Sequence, residues 1–358
     1  MTELARNVAR LKLSGVATDP DPSEVPPDTW TDCVNMVSRE TAMERVKGWN
    51  WLSSNSSLPL PALWHIANEE TSPYWLYFSE NAVGIEDGSA SPPGIGALTW
   101  ADMGVNASDA SIDQFTGCVL NGQVIINKKH TALGSYDYPD SNIVTADTTN
   151  PDLPNQTLTG AAVFAYRQFL VLVDCIVAGA SLPNRLQHSS SVDRGLFGWN
   201  ADWWPTAEND ANFTTLGDQR GRLVGGITLG GSALVLGERQ LWLMTYTGGP
   251  LVMAYRNLTR EVGTLSRHGF TAIDQRAFIF DDNDIVMTDG QRVQSIADGW
   301  VRRRIFNEIN SEQTDRVWVQ YNRPGQEIWF AYPEGNNVYP NRAAVYHLPT
   351  QKWGFRTL

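Results

Sequence analysis

The final third of the chain repeats one pattern four times: an alternating apolar strand, a tight polar turn and a second apolar strand. The four copies are Leu234–Met244, Ala277–Met287, Val317–Phe330 and Ala344–Phe355. A side-chain period of two, interrupted by Gly, Asn, Asp or Pro, defines each as a β-hairpin. Hairpins recurring at loose intervals of about 30–45 residues build many small sheets. Such sheets fit a toroid better than one large sandwich. Counted from Trp30, the hairpins predict an all-β, β-propeller-like toroid of roughly six or seven small antiparallel sheets, with an N-terminal arm.

Residues 1–28 form the expected arm. Leu4, Ala5, Val8 and Leu11 mark one side of a short helix, and four prolines between Asp19 and Asp28 forbid regular structure there. The propeller domain is expected over 29–358. Strands are read at Thr31–Arg39, Ala42–Trp51, Leu63–Ala67 and Tyr74–Ser79. Val119–Lys128 turns at Asn121-Gly122, the strongest short hairpin signal, and Val163–Val173 makes another hairpin or a bent strand pair. Strand signals are dense again from Gly221 to Met253, where the glycine pairs 225–226, 230–231 and 248–249 read as turns. Long loops are expected at 84–117, 134–160 and 184–216. The last holds Phe197, Trp199, Trp203 and Trp204, and loops of that length tend to be functional.

With 358 residues and 42% hydrophobic content, the chain can bury roughly three quarters of its unfolded surface. Its 14 tryptophans suit blade cores, with some left for contacts between subunits. A net charge of −12 lacks the Lys and Arg surplus that grips DNA phosphates. An acidic wall could still surround a duplex without holding it, or the charge could serve solubility alone.

Cys33, Cys118 and Cys175 stand far apart with no CxxC, which argues for a reducing compartment and against zinc. His65, His130, His188, His268 and His347 share no metal-ligand spacing, and HExxH, Gly-x-Ser-x-Gly and phosphate-cradling motifs are missing. We therefore expect no catalytic residue, cofactor or metal site. The chain has no apolar run of the ~20 residues needed to span a membrane, and the first residues lack a signal-peptide core. Without an export signal, the sequon at Asn155 carries no weight.

Three local motifs invite sharper readings. Asp281–Asp284 is acidic, but it lacks the glycine and distal glutamate of a calcium loop and reads as a turn. Ser191–Trp199 resembles the Asp-box of sialidase-like propellers, which is itself a turn element. Glycoside hydrolysis needs two flanking carboxylates, and nothing selects a pair. Arg302, Arg303 and Arg304, following Trp300, form the concentrated basic cluster. They suit an acidic neighbour, another subunit above all, or a solvated blade edge.

The segments Pro27–Met36 and Val46–Trp49 resemble the opening of the tail nozzle (hub) proteins of short-tailed bacteriophages. Further segments follow in that family's order: Pro183–Ser189, Leu241–Pro250, Asp284–Gly290, Arg303–Asn310, Glu327–Pro333 and Lys352–Arg356. The resemblance implies a non-catalytic virion protein, made in the host cytoplasm, whose propeller packs as a hexameric ring below the adaptor and portal. The ring would extend the genome-ejection channel and carry tail fibres and a needle or plug, while DNA passes without specific binding. Trp199, Trp203, Trp204 and Arg302–Arg304 become candidate partner contacts. Trp30 and Val34 are expected to pair with the strand of Trp353 and Phe355 and so close the ring. The rival readings are a glycan-acting propeller enzyme, sialidase-like or a depolymerase, and a protein-binding propeller.

Overall fold

The computed structural model describes residues 115–130, 133–136, 144–145, 147–153, 156–192, 201–297 and 299–358. Before them it describes 15–16, 29–30, 34–39, 42–45, 62–66, 74–79, 82–86 and 96–98. β1 (Gly15–Val16) and β2 (Thr29–Trp30) pair in parallel, and β3 (Met36–Arg39) pairs antiparallel with β4 (Ala42–Arg45). A four-stranded sheet follows, built from β5 (Ala62–Ile66), β6 (Tyr74–Ser79), β7 (Ala82–Glu86) and β8 (Gly96–Leu98).

Five further four-stranded antiparallel sheets occupy the rest, each ordered as the chain runs. The first comprises β9 (Phe115–Leu120), β10 (Gln123–Lys128), β11 (Leu133–Tyr136) and β12 (Val144–Thr145). The second comprises β13 (Leu158–Tyr166), β14 (Phe169–Val177), β15 (Ala180–His188) and β16 (Asn212–Thr215). The third comprises β17 (Leu223–Leu229), β18 (Ser232–Gly237), β19 (Leu241–Gly248) and β20 (Val252–Thr259). The fourth comprises β21 (Phe270–Ile273), β22 (Arg276–Phe280), β23 (Ile285–Thr288) and β24 (Val293–Ser295). α1 (Gly299–Glu308) leads to the fifth: β25 (Trp318–Asn322), β26 (Glu327–Tyr332), β27 (Arg342–His347) and β28 (Lys352–Thr357). First strands lie side by side, β9 by β13, then β17, β21 and β25. The five sheets thus stand in a ring, a β-propeller arrangement.

Packing explains why the middle strands read as continuous apolar runs. On β18, Ala233 and Val235 face the second sheet while Leu234 and Leu236 face the fourth. On β22, Ala277 and Ile279 face the third sheet, and Phe278 and Phe280 face the fifth. Each strand therefore buries both faces, as a stacked sheet must, and the period of two divides two apolar sets. Each fully buried large side chain contributes about 1.5–3 kcal/mol. The four repeated hairpins lie on β18–β19, β22–β23, β25–β26 and β27–β28. The hairpin at Asn121 and Gly122 has both residues at positive φ, 52° and 87°, the signature of a type I′ turn.

Several expectations need correction. Among the described residues five sheets stand in the ring, so the expected six or seven are not matched; hairpin signals are local and do not say which sheets join a ring. The expected loop at 84–117 contains β8 and the start of β9. That at 134–160 contains β12, a Thr149–Thr157 bridge and the start of β13. That at 184–216 keeps the end of β15 and all of β16. These strands are short or polar, so their period is hard to see. Gly225 and Gly226 lie inside β17, whereas Gly230 (φ 59°) occupies a turn as expected. The helix expected near Leu4–Leu11 lies outside the described residues.

Candidate functional site

The expected terminal pairing is present at one point. Val34 forms a parallel bridge with Phe355, the Asn35 amide donates to the Phe355 carbonyl at 2.9 Å, and Asn35 Oδ1 accepts from the Thr357 amide at 3.0 Å. Asn35 achieves this in a left-handed conformation, φ 60°, which Asn tolerates well. Trp353 turns inward: its indole donates to the Ile296 carbonyl at 3.1 Å and its ring lies 5.0 Å from that of Tyr346. Trp30 pairs in β2 with Val16 of β1, a strand that also lies against β28.

Trp203 and Trp204 are core residues, 1% and 8% exposed, wedged with Leu120, Ile125 and Leu172 between the first and second ring sheets. Trp204 Nε1 donates to the Thr148 carbonyl at 3.0 Å, and the Gln187 amide bonds the Trp203 carbonyl. The two indoles fill the gap beside a short outer strand, so they are not available for subunit contact. Trp199 and most of the Ser191–Trp199 motif lie outside the described residues.

The arginine cluster sits on α1, where Val301 and Ile305 (i, i+4) are buried. Arg302 pairs with Asp284 at 3.3 Å. Arg304 lies 4.3 Å over the Phe355 ring and 3.6 Å from Glu308. Both are thus engaged within the chain, on a helix and not on a blade edge, while Arg303 is exposed. Asp281–Asp284 is a turn, closed by the Asp281 amide donating to the Asp284 carbonyl at 2.9 Å.

Two ionic clusters were not expected. Asp174, 1% exposed, sits on a bulge of β14 at φ 53°. Arg222, just ahead of β17, bonds it bidentately, and His130 Nε2, just after β10, lies 3.3 Å away. Three consecutive sheets meet there. The available signal was an aspartate inside the apolar run Phe169–Val177. In the last sheet, buried Glu327 accepts from Arg356 (3.0 Å), Trp329 Nε1 (3.0 Å) and Asn322 (3.2 Å), and Arg356 stacks 4.4 Å over Trp329.

Local environments shift several titrating groups. Burial pushes the Asp281 carboxyl up to about 6, against the hydrogen bond that it accepts from the Gly263 amide. Desolvation, with Arg267 nearby, pulls His268 down to about 4, opposed by a hydrogen bond to the Phe115 backbone. Burial raises the Cys118 and Cys175 thiols to about 12, which disfavours the thiolate. Among the described residues, no cluster of three His, Cys, Asp or Glu could hold a metal, and no helix is long and apolar enough to cross a membrane.

No family model matches the chain, and no curated protein matches it. Among solved structures it is similar to the computationally designed Ika8 protein, at 8% identity and a TM-score of 0.44, covering 82% of this chain and 72% of that one. It is also similar to a functionally unknown protein from Desulfotomaculum acetoxidans DSM 771, at 8% identity and a TM-score of 0.40, covering 79% and 84%.

Proposed function

We propose that the chain is a structural ring protein of a virion: the tail nozzle of a short-tailed bacteriophage, made in the host cytoplasm and assembled as a hexamer below the adaptor and portal. The supporting observation is where the resembling segments fall. Pro183–Ser189, Leu241–Pro250, Asp284–Gly290, Arg303–Asn310, Glu327–Pro333 and Lys352–Arg356 lie on β15, β19, β23, α1, β26 and β28. They run in chain order through four of the five ring sheets, so the resemblance spans most of the ring and not one local motif.

On this reading the protein acts as a rigid spacer rather than a catalyst. Sheets buried on both faces suit a part that transmits force, and a net charge of −12 suits a channel that must not retain phosphate. Tail fibres and a needle or plug would attach to outer surfaces. The sheet β5–β8, with the same four-strand order as the ring sheets, is the candidate for a sixth blade.

Light scattering and averaged particle images of the purified chain, alone and with its adaptor, test the reading. A sixfold ring with an open pore is the expected result. A chain that stays monomeric beside the adaptor and cleaves a polysaccharide would overturn it.

A further inference from the structure

A cavity of about 420 Å³ opens on the second ring sheet beside its last strand, β16. Arg185 of β15, Phe213 of β16, Trp204, and Asn150, Asp152 and Gln156 ahead of β13 line it. The binding argument below uses the geometry of the pocket and not the hexameric assembly that the nozzle reading invokes.

Arg185 determines what can fill it. The side chain is buried, 8% exposed. Its guanidinium carbon lies 3.7 Å from the centre of the Phe213 ring, and Nη2 donates to Gln187 Oε1 at 2.8 Å. Its Nε is fully buried and has no hydrogen-bond partner, so a ligand would meet the guanidinium's outer edge, and no carboxylate among the described residues forms an ion pair with it. The titrating group that acts on it is the Cys175 thiol, which is neutral. A buried cation without a counter-ion is costly. A bound carboxylate would supply the missing charge through a charge-assisted hydrogen bond.

The rest of the wall selects among carboxylates. Asp152 is exposed, and among the described residues only its backbone amide is engaged, donating to Asn150 Oδ1 at 3.0 Å. Asn150 Nδ2 donates to Gln156 Oε1 at 3.3 Å, which leaves the Gln156 amide nitrogen as a donor. A polyacidic peptide would meet repulsion from Asp152 and from a chain of net charge −12. A ligand with one carboxylate and adjacent hydroxyls uses both charges: the acid meets Arg185, and the hydroxyls donate to Asp152 and accept from Gln156. Phe213, 42% exposed, adds apolar surface for the C–H face of a sugar ring. We infer that this pocket binds a sugar acid, a uronate or sialate unit of an acidic saccharide, held by Arg185 with Asp152 and Gln156.

Titration calorimetry and saturation-transfer NMR on the full chain test this, with D-glucuronic acid and N-acetylneuraminic acid as probes. D-glucose, acetate and tetraglutamate serve as comparisons. At least one sugar acid is expected to bind, with glucose and acetate weaker by about tenfold or more, the range of one charge-assisted hydrogen bond. Arg185→Met should lose a similar factor, and Asp152→Asn should weaken the sugar acid while acetate binds no more weakly than before. If Arg185→Met fails to fold, the exposed Asp152→Asn variant decides by the same comparison. No binding of either sugar acid, equal binding of acetate, tighter binding of tetraglutamate, or unchanged affinity in the folded variants overturns the inference.

Discussion

Arg222 closes on Asp174 with both ends of its guanidinium, Nε 3.1 Å from Oδ2 and Nη2 3.0 Å from Oδ1, and so ties the third ring sheet to a bulge in the second. The arrangement follows from the bulge. A register shift between Val173 and Cys175 leaves Asp174 out of the ladder, and its positive φ redirects a side chain that would otherwise enter an apolar core. There it needs a partner, because an unpaired buried carboxylate is costly.

Arg222→Met should therefore lower the unfolding free energy by about 3–5 kcal/mol, the range for stranding a buried charge, since Asp174 is 1% exposed. Asp174→Asn should cost less, because it removes the buried charge and leaves Arg222, 47% exposed, to water. Urea unfolding of the two variants checks the order; a larger effect at Asp174 would contradict it.

The terminal seam makes a second prediction. Phe355 is fully buried, bridges Val34 and supports Arg304 from 4.3 Å. Phe355→Ala should cost about 3–5 kcal/mol, the usual range for a buried phenylalanine. Deleting residues 353–358 should destabilise the whole ring, because β28 is the last strand of the fifth sheet and pairs with β27 along its length. A truncated chain that melts at the wild-type temperature would disprove the dependence.

Asp281 and His268 should move stability in opposite directions over nearly the same pH window. Asp281 is raised in the fold from 3.8 to about 6, so the folded state holds a proton that the unfolded chain has released. Its contribution is complete below pH 4 and is lost as pH rises through 6. His268 is lowered from 6.5 to about 4, so the unfolded chain takes up the proton first and stability falls as pH drops below 6.5. Wild type measured alone would show a muted slope. Urea unfolding from pH 4 to 7 should show stability rising more steeply with pH in Asp281→Asn and less steeply in His268→Gln. Identical slopes in all three would exclude both assignments.

How far the fold was legible depends on how local its cause is. The hairpins at Asn121-Gly122 and Asp281–Asp284 follow from turn chemistry alone, and both stand where they were read. Ring membership depends on which sheets stack, and stacking leaves no mark beyond the doubled apolar faces of strands such as β18. Trp203 and Trp204 lie in polar, aperiodic text, which conceals that a gap between sheets must be filled there. Arg302–Arg304 followed Trp300 with no clear period; only the buried Val301–Ile305 spacing identifies a helix. Asp174 could have been noticed as a lone acid in an apolar strand. Arg185 could not, because the absence of a partner is a property of the folded site.

The last prediction comes from Gly226, read as a turn glycine but placed inside β17. A Cβ there would overlap the Phe164 ring of β13, while at the adjacent Gly225 it would lie 2.8 Å from Phe270 Cζ of β21. The pair thus lets β17 approach aromatic rings from both neighbouring sheets. The requirement is space, not conformational freedom, since neither glycine adopts positive φ. Gly226→Ala should cost about 1–3 kcal/mol through overpacking. Phe164→Leu should cost a comparable amount through lost packing. If the contact is the cause, the double variant should cost clearly less than the sum of the singles, with a coupling of about 1 kcal/mol or more. Simple additivity in a double-mutant cycle would mean that Gly226 is held in β17 for some reason other than the Phe164 ring.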